Sequence, residues 1–212
     1  MTTDFTLIRH GQTTANMSGI LQGFLDTELD ETGIRQAECA AERLRDEKFD
    51  CIFSSDLKRA MQTAQIIARF HDLEVVPVKE LREWHLGDLE GHPCAELKKQ
   101  YPEIMHCFGL DGGEVVVPGG ESRLEFFRRV ADCLESMAEK HAGKRILLIT
   151  HGGVLRAVFR HVVGMVTAQA MIPVTSNASY THFVKRDKLW QLCCWNDVSH
   201  LKSVGVRASS TF

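Results

Sequence analysis

The stretch KRILLIT, residues 144–150, is the clearest buried strand in the chain. It is a near-continuous apolar run bounded by polar residues, which is typical of a strand covered on both faces in a parallel sheet. His151 and Gly152 follow it directly, and the segment GVLRAVFRHVVG (153–164) then predicts a helix. A buried strand that leads straight into a helix indicates a fold in which the two kinds of element alternate.

The same alternation runs through the N-terminal part of the chain. Its predicted elements are a strand at 5–8, a helix at 30–48, a strand at 51–55, a helix at 56–70 and a strand at 74–78. In the first helix Asp30 is the expected N-cap, and Ile34, Ala37, Ala41 and Leu44 fall at helical spacing on the inner face. The pattern predicts an α/β fold, a three-layer sandwich with a mainly parallel central sheet and helices on both faces.

The rest of the chain is less regular. Residues 84–120 are punctuated by glycines, and one short helix is expected at about 93–101. We interpret this stretch as an insertion over the sheet edge, within a single domain that spans 1–212. A long helix is expected at 121–141, and a hairpin that turns at Asp187 and Lys188 is expected near the end.

Composition narrows the class of protein. The chain has 212 residues, 44% of them apolar and 25% charged, with a formal net charge of −3. No basic run predicts a nucleic-acid surface, no apolar run is long enough to span a membrane, and no leader pattern follows Met1, so we expect a cytoplasmic protein. The seven cysteines are odd in number and unclustered, which favours reduced, structural roles and predicts no metal site.

Two histidines occur in matching contexts. LIRHGQ (7–12) and LITHGG (148–153) each end a buried strand with a histidine followed by a glycine. Ligands of open parallel sheets bind beyond the carboxyl ends of the strands, so the two pairs are expected to meet in one pocket. One histidine at a strand end is more often structural, but two in the same context favour a functional site.

The side chains near these strand ends suit an anion. Arg9 precedes His10, Arg59 lies one turn into the helix after the second strand, and Asn16 adds an amide donor. The guanidinium fork matches phosphate oxygens, and a histidine is able to attack phosphorus. Phosphoryl transfer also needs an acid for the leaving oxygen. The segment ELREWHLGDLEG (80–91) offers four carboxyl groups, those of Glu80, Glu83, Asp88 and Glu90, and the residue pattern alone does not choose among them.

Six motifs together resemble one known family. They are RHGQTTAN (9–16), LQGFLDTELDETGIRQA (21–37), SSDLKRAMQTA (54–64), LREWHLGDLEG (81–91), PGGES (118–122) and THGGVLR (150–156). In this order they are similar to the histidine phosphatase superfamily, in its phosphoglycerate-mutase-like branch. The resemblance runs from residue 5 to about 156, with a looser match at NDVSHL (196–201).

The resemblance implies an α/β sandwich, a phosphohistidine intermediate and no metal or other cofactor. It makes His10 the nucleophile and Glu83 the acid, and it places the insertion over the active site. The residues that it assigns to the phosphate pocket are Arg9, Asn16, Gln22, Gly23, Arg59, His151 and Gly152, of which His151 also counts as catalytic.

The implied activity is that of a histidine acid-type phosphatase. We expect hydrolysis of small phosphomonoesters, with inorganic phosphate as product, by a monomer or homodimer. Between Gly91 and Gly120 the only cations are Lys98 and Lys99, whereas mutases of the family usually carry a basic insertion there. The alternatives are a 2,3-bisphosphoglycerate-dependent phosphoglycerate mutase, a narrow phosphatase for α-ribazole phosphate or phosphoserine, and a non-catalytic module that binds a phosphorylated ligand. The last would be expected to lack His10 or Glu83.

Overall fold

A six-stranded sheet forms the centre of the molecule in the computed structural model, which describes residues 1–109, 115–165 and 173–204. The strands are β1 (Thr2–Arg9), β2 (Cys51–Ser54), β3 (Val75–Pro77), β4 (Arg145–Thr150), β5 (Tyr180–Arg186) and β6 (Leu189–Asp197). Their order is β3-β2-β4-β1-β5-β6. The first four in this order are parallel, while β5 and β6 form an antiparallel hairpin on the far side of β1. The predictions of a mainly parallel sheet and of a terminal hairpin are therefore confirmed.

Seven α-helices surround the sheet in the described residues. They are α1 (Thr14–Ser18), α2 (Glu31–Leu44), α3 (Lys58–Ala68), α4 (Cys94–Gln100), α5 (Pro102–Gly109), α6 (Arg123–Lys140) and α7 (Gly152–Val163). Asp30 caps α2 by accepting a hydrogen bond from the Gly33 amide at 2.8 Å, and Ser122 forms a capping box with Glu125 at the start of α6. Among the described helices, none is long and apolar enough to cross a membrane.

The core lies in two layers, one on each face of the sheet. Along β4, Ile146 and Leu148 point into a cluster with α6 and α7, whereas Leu147 and Ile149 point into a cluster with α2 and α3. Successive side chains of a strand face opposite sides, so a strand buried on both faces needs apolar residues at every position. The three-layer sandwich predicted from the apolar run of this strand is confirmed.

The inner face of α2 differs from the prediction at one position. Ala37, Ala41 and Leu44 are buried as expected, but Ile34 is 42% exposed. Gly33 faces inward instead, and a Cβ atom there would lie 2.0 Å from the Gln12 carbonyl oxygen. Gly33, Ala37, Ala40 and Leu44 share the buried face of the helix at regular spacing, which leaves Ile34 on the solvent side.

The insertion holds more regular structure than predicted. The expected short helix is present as α4, but α5 follows it after a single residue. Met105 of α5 and Val115 and Val117 beyond it are buried in the core, and Leu110 lies outside the described residues. Met105, Val115 and Val117 thus pack the insertion onto the sheet.

Replacing Leu147 by Ala tests the importance of the buried strand. Leu147 is fully buried, so the truncation should lower the free energy of unfolding by about 2–5 kcal/mol, because it removes apolar contacts and leaves a cavity. Ile34→Ala on the exposed face of α2 is the control and should change it by about 0.5 kcal/mol or less. Urea denaturation measures both, and equal effects would contradict the assigned faces.

Candidate active site

The two strand-end histidines lie side by side. β1 and β4 are parallel neighbours with Arg9 opposite Thr150, so the next residue of each strand emerges at the same edge of the sheet. The centroids of the His10 and His151 rings are 5.1 Å apart, and both residues are almost completely buried. The His10 amide donates to the Thr150 carbonyl at 2.8 Å, which extends the pairing of the strands into the site.

The hydrogen bonding of His10 defines its reactive nitrogen. Nδ1 lies 2.7 Å from the carbonyl oxygen of Gly11, and a carbonyl only accepts, so Nδ1 carries the proton and Nε2 carries the lone pair. Burial, followed by the positive charges of Arg59 and Arg9, lowers the pKa of His10 well below its usual value. The imidazole is therefore neutral at pH 7, as a nucleophile requires.

His151 is oriented by a hydroxyl group from a third strand. Its Nε2 lies 2.8 Å from the Oγ of Ser55, the residue that follows β2. When the Ser55 hydroxyl donates to Nε2, Nδ1 carries the ring proton, and this buried atom has no hydrogen-bond partner within the described protein. Burial and then the charge of Arg59 lower the pKa of His151 well below its usual value. His151 is thus a neutral donor beside His10.

Two arginines supply the positive charge next to the histidines. Arg9 donates through Nη1 to the Thr175 carbonyl at 2.5 Å, and Arg59 donates to the carbonyls of Leu25 and Gly23 at 2.7 and 2.8 Å. The Nε atom of each arginine is buried without a partner in the described protein. Burial lowers the pKa of both to about 10, so both remain charged at neutral pH.

Two amide side chains present their NH₂ groups to the same space. The Oδ1 atom of Asn16 accepts from the Thr13 amide at 3.1 Å and from Asn177 at 3.3 Å. Similarly, the Oε1 atom of Gln22 accepts from the hydroxyl of Thr27 at 2.5 Å. Because the oxygens are engaged, the nitrogens are the atoms left to bind a ligand, and they are donors. No sequence motif singled out Asn177, which also donates to the His10 carbonyl at 3.0 Å from 167 residues away.

Glu83 is the one of the four candidate carboxylates that lines the cavity. Its Oε1 atom accepts from the Trp84 amide at 2.9 Å and its Oε2 atom accepts from the Gly153 amide at 3.0 Å, at the start of α7. Glu90 instead binds backbone amides of neighbouring loops. A Cβ atom at position 153 would lie 2.1 Å from Oε1 of Glu83, so only a glycine leaves room for the carboxylate.

A cavity of about 150 Å³ opens between these groups. Of the residues expected at the site, those that line it are Arg9, His10, Asn16, Gln22, Gly23, Arg59 and Glu83. His151 lies beside His10 with the ring centroids 5.1 Å apart, and Gly152 lies next to Arg9, whose guanidinium carbon would be 3.3 Å from an added Cβ atom. Gly152 thus leaves room for the Arg9 guanidinium, and its expected contact with phosphate stays a prediction.

The remainder of the cavity, here called the outer cavity, has a lining that the sequence motifs did not identify. It is lined by the rings of Trp84, Phe108, Phe126 and Phe127 together with Arg123 and Arg156. Arg156 does fall within the motif THGGVLR, but a motif does not show which side chain reaches a cavity. Across the described parts of the chain, no group of three or more histidine, cysteine or acidic side chains is placed to hold a metal ion.

Comparison with known proteins agrees with this geometry. The family described as histidine phosphatase superfamily (branch 1) matches residues 5–198, which include every described residue that lines the cavity. The chain belongs to the histidine phosphatase superfamily. The resemblance read from six motifs is confirmed.

Individual relatives of this histidine phosphatase cover almost the whole chain. A metal-independent phosphoserine phosphatase from Arabidopsis thaliana is 40% identical over 206 residues, which are 96% of this chain and 85% of the relative. Phosphoglycerate mutase-like protein 4 from the same plant is 40% identical over 209 residues, 97% and 90% of the two chains. The solved structure of Bacillus stearothermophilus YhfR superimposes with a TM-score of 0.89 at 27% identity and covers 94% of this chain and all of that one.

Gly153→Ala tests the contact between Glu83 and the start of α7. The added methyl group should displace the carboxylate and lower kcat at least about ten-fold, since small misplacements of reacting groups are costly. Alanine favours a helix, so the fold should persist. In a Glu83→Ala background the same change should have little further effect on kcat. An equal loss in both backgrounds would show that Gly153 acts through something other than Glu83.

The lowered pKa values of His10 and His151 predict a pH-dependent stability. Below about pH 6.5 the unfolded chain binds protons at these histidines while the native state does not, so the free energy of unfolding should fall between pH 7 and pH 5. The slope should reach about 1.4 kcal/mol per pH unit for each histidine. Urea denaturation in phosphate-free buffers should show a shallower slope for His10→Asn and an unchanged slope for His92→Asn, which alters an exposed residue. A slope that His10→Asn leaves unchanged would contradict the prediction.

Proposed function

We propose that this chain is a metal-independent phosphomonoester hydrolase that acts through a phosphohistidine at His10. One observation carries the proposal: three buried donor atoms, Nε of Arg9, Nε of Arg59 and Nδ1 of His151, have no partner in the described protein and surround a neutral nucleophile. Buried donors are normally satisfied. A phosphoryl group supplies the acceptor oxygens for which these donors are placed.

The first step transfers the phosphoryl group to the enzyme. The lone pair on Nε2 of His10 forms a bond to phosphorus, and the bond from phosphorus to the ester oxygen breaks. Arg9, Arg59 and the Nδ1 proton of His151 stabilise the charge that spreads over the three phosphoryl oxygens. Glu83 delivers a proton to the leaving oxygen, and the alcohol departs.

The second step restores the enzyme. Glu83, now a carboxylate, accepts a proton from a water molecule whose oxygen attacks phosphorus. The bond between phosphorus and Nε2 breaks, its electron pair returns to His10, and inorganic phosphate leaves. In both steps the arginines and His151 stabilise the negative charge on the phosphoryl oxygens. A metal ion performs this task in other phosphatases. The name of the plant phosphoserine phosphatase, which includes the term metal-independent, supports this aspect.

The insertion favours a hydrolase over a mutase. Lys98 and Lys99 are exposed on α4 and do not line the cavity. A mutase has to retain its monophosphate product while the phosphohistidine persists, and these lysines are not placed to do so. The 40% identity to a phosphoglycerate mutase-like protein keeps mutase activity as the second candidate.

The outer cavity suits a small ester with both polar and apolar parts. Aromatic rings offer contact area to a carbon skeleton, and Arg123 and Arg156 lie beside them. Phosphoserine is the first compound to assay, because the plant phosphoserine phosphatase aligns with 96% of the chain.

His10→Ala should abolish both turnover and phosphoenzyme formation. The test exposes each protein to a ³²P-labelled phosphomonoester in the presence of excess EDTA and measures acid-labile, protein-bound label together with released phosphate. The wild type should become labelled and release phosphate under these conditions. His92→Ala, which alters an exposed histidine, is the control and should behave as the wild type does.

Two outcomes of this experiment would overturn the proposal. Substantial turnover by the His10 variant would move the nucleophile elsewhere, and loss of wild-type activity in EDTA would contradict metal independence. With 3-phosphoglycerate as substrate, release of phosphate supports the hydrolase, whereas accumulation of 2-phosphoglycerate with no phosphate release supports the mutase.

A further inference from the structure

The segment that carries Glu83 is held by an arginine of α6, which packs against it in the same layer of the core. We propose that Arg129 of α6, with Glu121 as its partner, is the positioning residue that fixes Glu83 for proton transfer to the leaving oxygen. The proposal rests on the proposed function, in which Glu83 is the acid. It concerns two residues that touch neither the phosphate pocket nor the cavity.

All five N–H groups of Arg129 are engaged. Nε and Nη2 donate to the two carboxylate oxygens of Glu121 at 2.7 Å each, which forms a bidentate pair. The other three donate to backbone carbonyls of one short segment. These are the carbonyls of Glu80 and Arg82 at 2.7 and 3.0 Å through Nη1, and the carbonyl of Glu83 at 3.0 Å through Nη2. A single side chain thus binds three of the four backbone carbonyls between residues 80 and 83, including that of Glu83.

Glu121 holds the residues on the other side of Glu83. Its Oε2 atom accepts from the His85 amide at 3.0 Å, its own amide donates to the His85 carbonyl at 2.9 Å, and its carbonyl accepts from Trp84 Nε1 at 2.9 Å. Arg129 and Glu121 therefore fix the backbone from residue 80 to residue 85. Glu83 lies in the middle of this stretch, with its side chain directed towards α7 and the cavity.

Only an arginine can make this set of contacts. The guanidinium offers five donors in a rigid plane, whereas a lysine offers three on a single atom. Removal of Arg129 would leave three carbonyls without the donor that it supplies and would leave the Glu121 carboxylate with the His85 amide, so the segment would relax. A shift of Glu83 by about 1 Å is enough to weaken proton transfer, while the phosphate-binding residues on β1, α3 and β4 keep their own anchors.

The test uses two esters of similar bulk that differ in their need for a proton. 2-Phenylethyl phosphate expels a basic alkoxide, whereas p-nitrophenyl phosphate expels a stable phenolate. The measurement is the single-turnover rate of phosphoenzyme formation with each ester. Arg129→Met should slow the reaction of the alkyl ester at least about ten-fold more than that of the nitrophenyl ester, and Glu83→Gln, which removes the acid itself, should show the same pattern. Arg145→Met, which removes an exposed arginine paired with Glu47, is the matched control and should affect neither ester.

Two further variants separate positioning from charge or general stability. In a Glu83→Gln background, Arg129→Met should cause no additional loss with the alkyl ester, because two residues that act through one group are not additive. Arg129→Lys keeps the positive charge. Relative to Arg129→Met, it should restore less than half of the change in the logarithm of the rate ratio between the two esters. Should Arg129→Met fail to fold by circular dichroism, Glu121→Gln, which weakens the same contacts, takes its place with the same expected pattern.

The outcomes distinguish this inference from the proposed function. Equal slowing of both esters by Arg129→Met, full restoration by lysine, or additive losses in the Glu83→Gln background would overturn the positioning role. No labelling of the wild type by either ester would instead overturn the proposed function. Equal slowing of both esters by Glu83→Gln would remove the acid role of Glu83, and with it this inference, while the phosphohistidine mechanism would stand.

Discussion

The parallel pairing of β1 with β4 is the constraint on which the site depends. With Arg9 opposite Thr150, the two chains leave the sheet together, and each places a histidine at the same edge. The hydrogen bond from the His10 amide to the Thr150 carbonyl carries this register one residue beyond the sheet. A slip of one residue would exchange the side chains of β4 between the two layers of the core, so the close packing of both layers also fixes the geometry of the histidines.

Burial keeps both histidines neutral and lowers the free energy of unfolding, because it removes polar groups from water. Two arginines and two histidines are almost completely removed from water around the phosphate pocket. Desolvation and the neighbouring guanidinium groups lower the pKa of both imidazoles, which keeps them neutral, as the roles proposed for His10 as nucleophile and His151 as donor require. An anionic ligand reverses part of this cost, because it satisfies donors that the described protein leaves unsatisfied. The site is thus preorganised for a charge that the substrate brings.

The segment around Glu83 is built differently from the phosphate pocket. The histidines of the proposed phosphate pocket follow directly after β1 and β4. Glu83, in contrast, lies on a stretch with little regular structure of its own. That stretch is fixed from outside, by Thr150 at the Leu81 carbonyl, by Asp56 through a bidentate pair with Arg82, and by Arg129. Backbone without regular secondary structure keeps its position only through such contacts. They explain how a residue on a loop can be positioned as precisely as a residue on a strand.

The sequence by itself determined the sandwich, the alternation of its parallel strands with helices, and the positions of His10 and His151 at strand ends. Each of these follows from local patterns, namely apolar runs of strand length, helical spacing and the residue that comes next. Only the tertiary structure decided that Gly33 rather than Ile34 faces inward, that Ser55 orients His151, and that α5 completes the insertion. It also showed that Glu83, the carboxylate that the resemblance implied, reaches the cavity, a point that the residue pattern alone left open. Those features depend on contacts between residues far apart in the chain, such as the 96 positions between Ser55 and His151. No local pattern records such a contact, because it exists only once the strands have paired and the helices have packed.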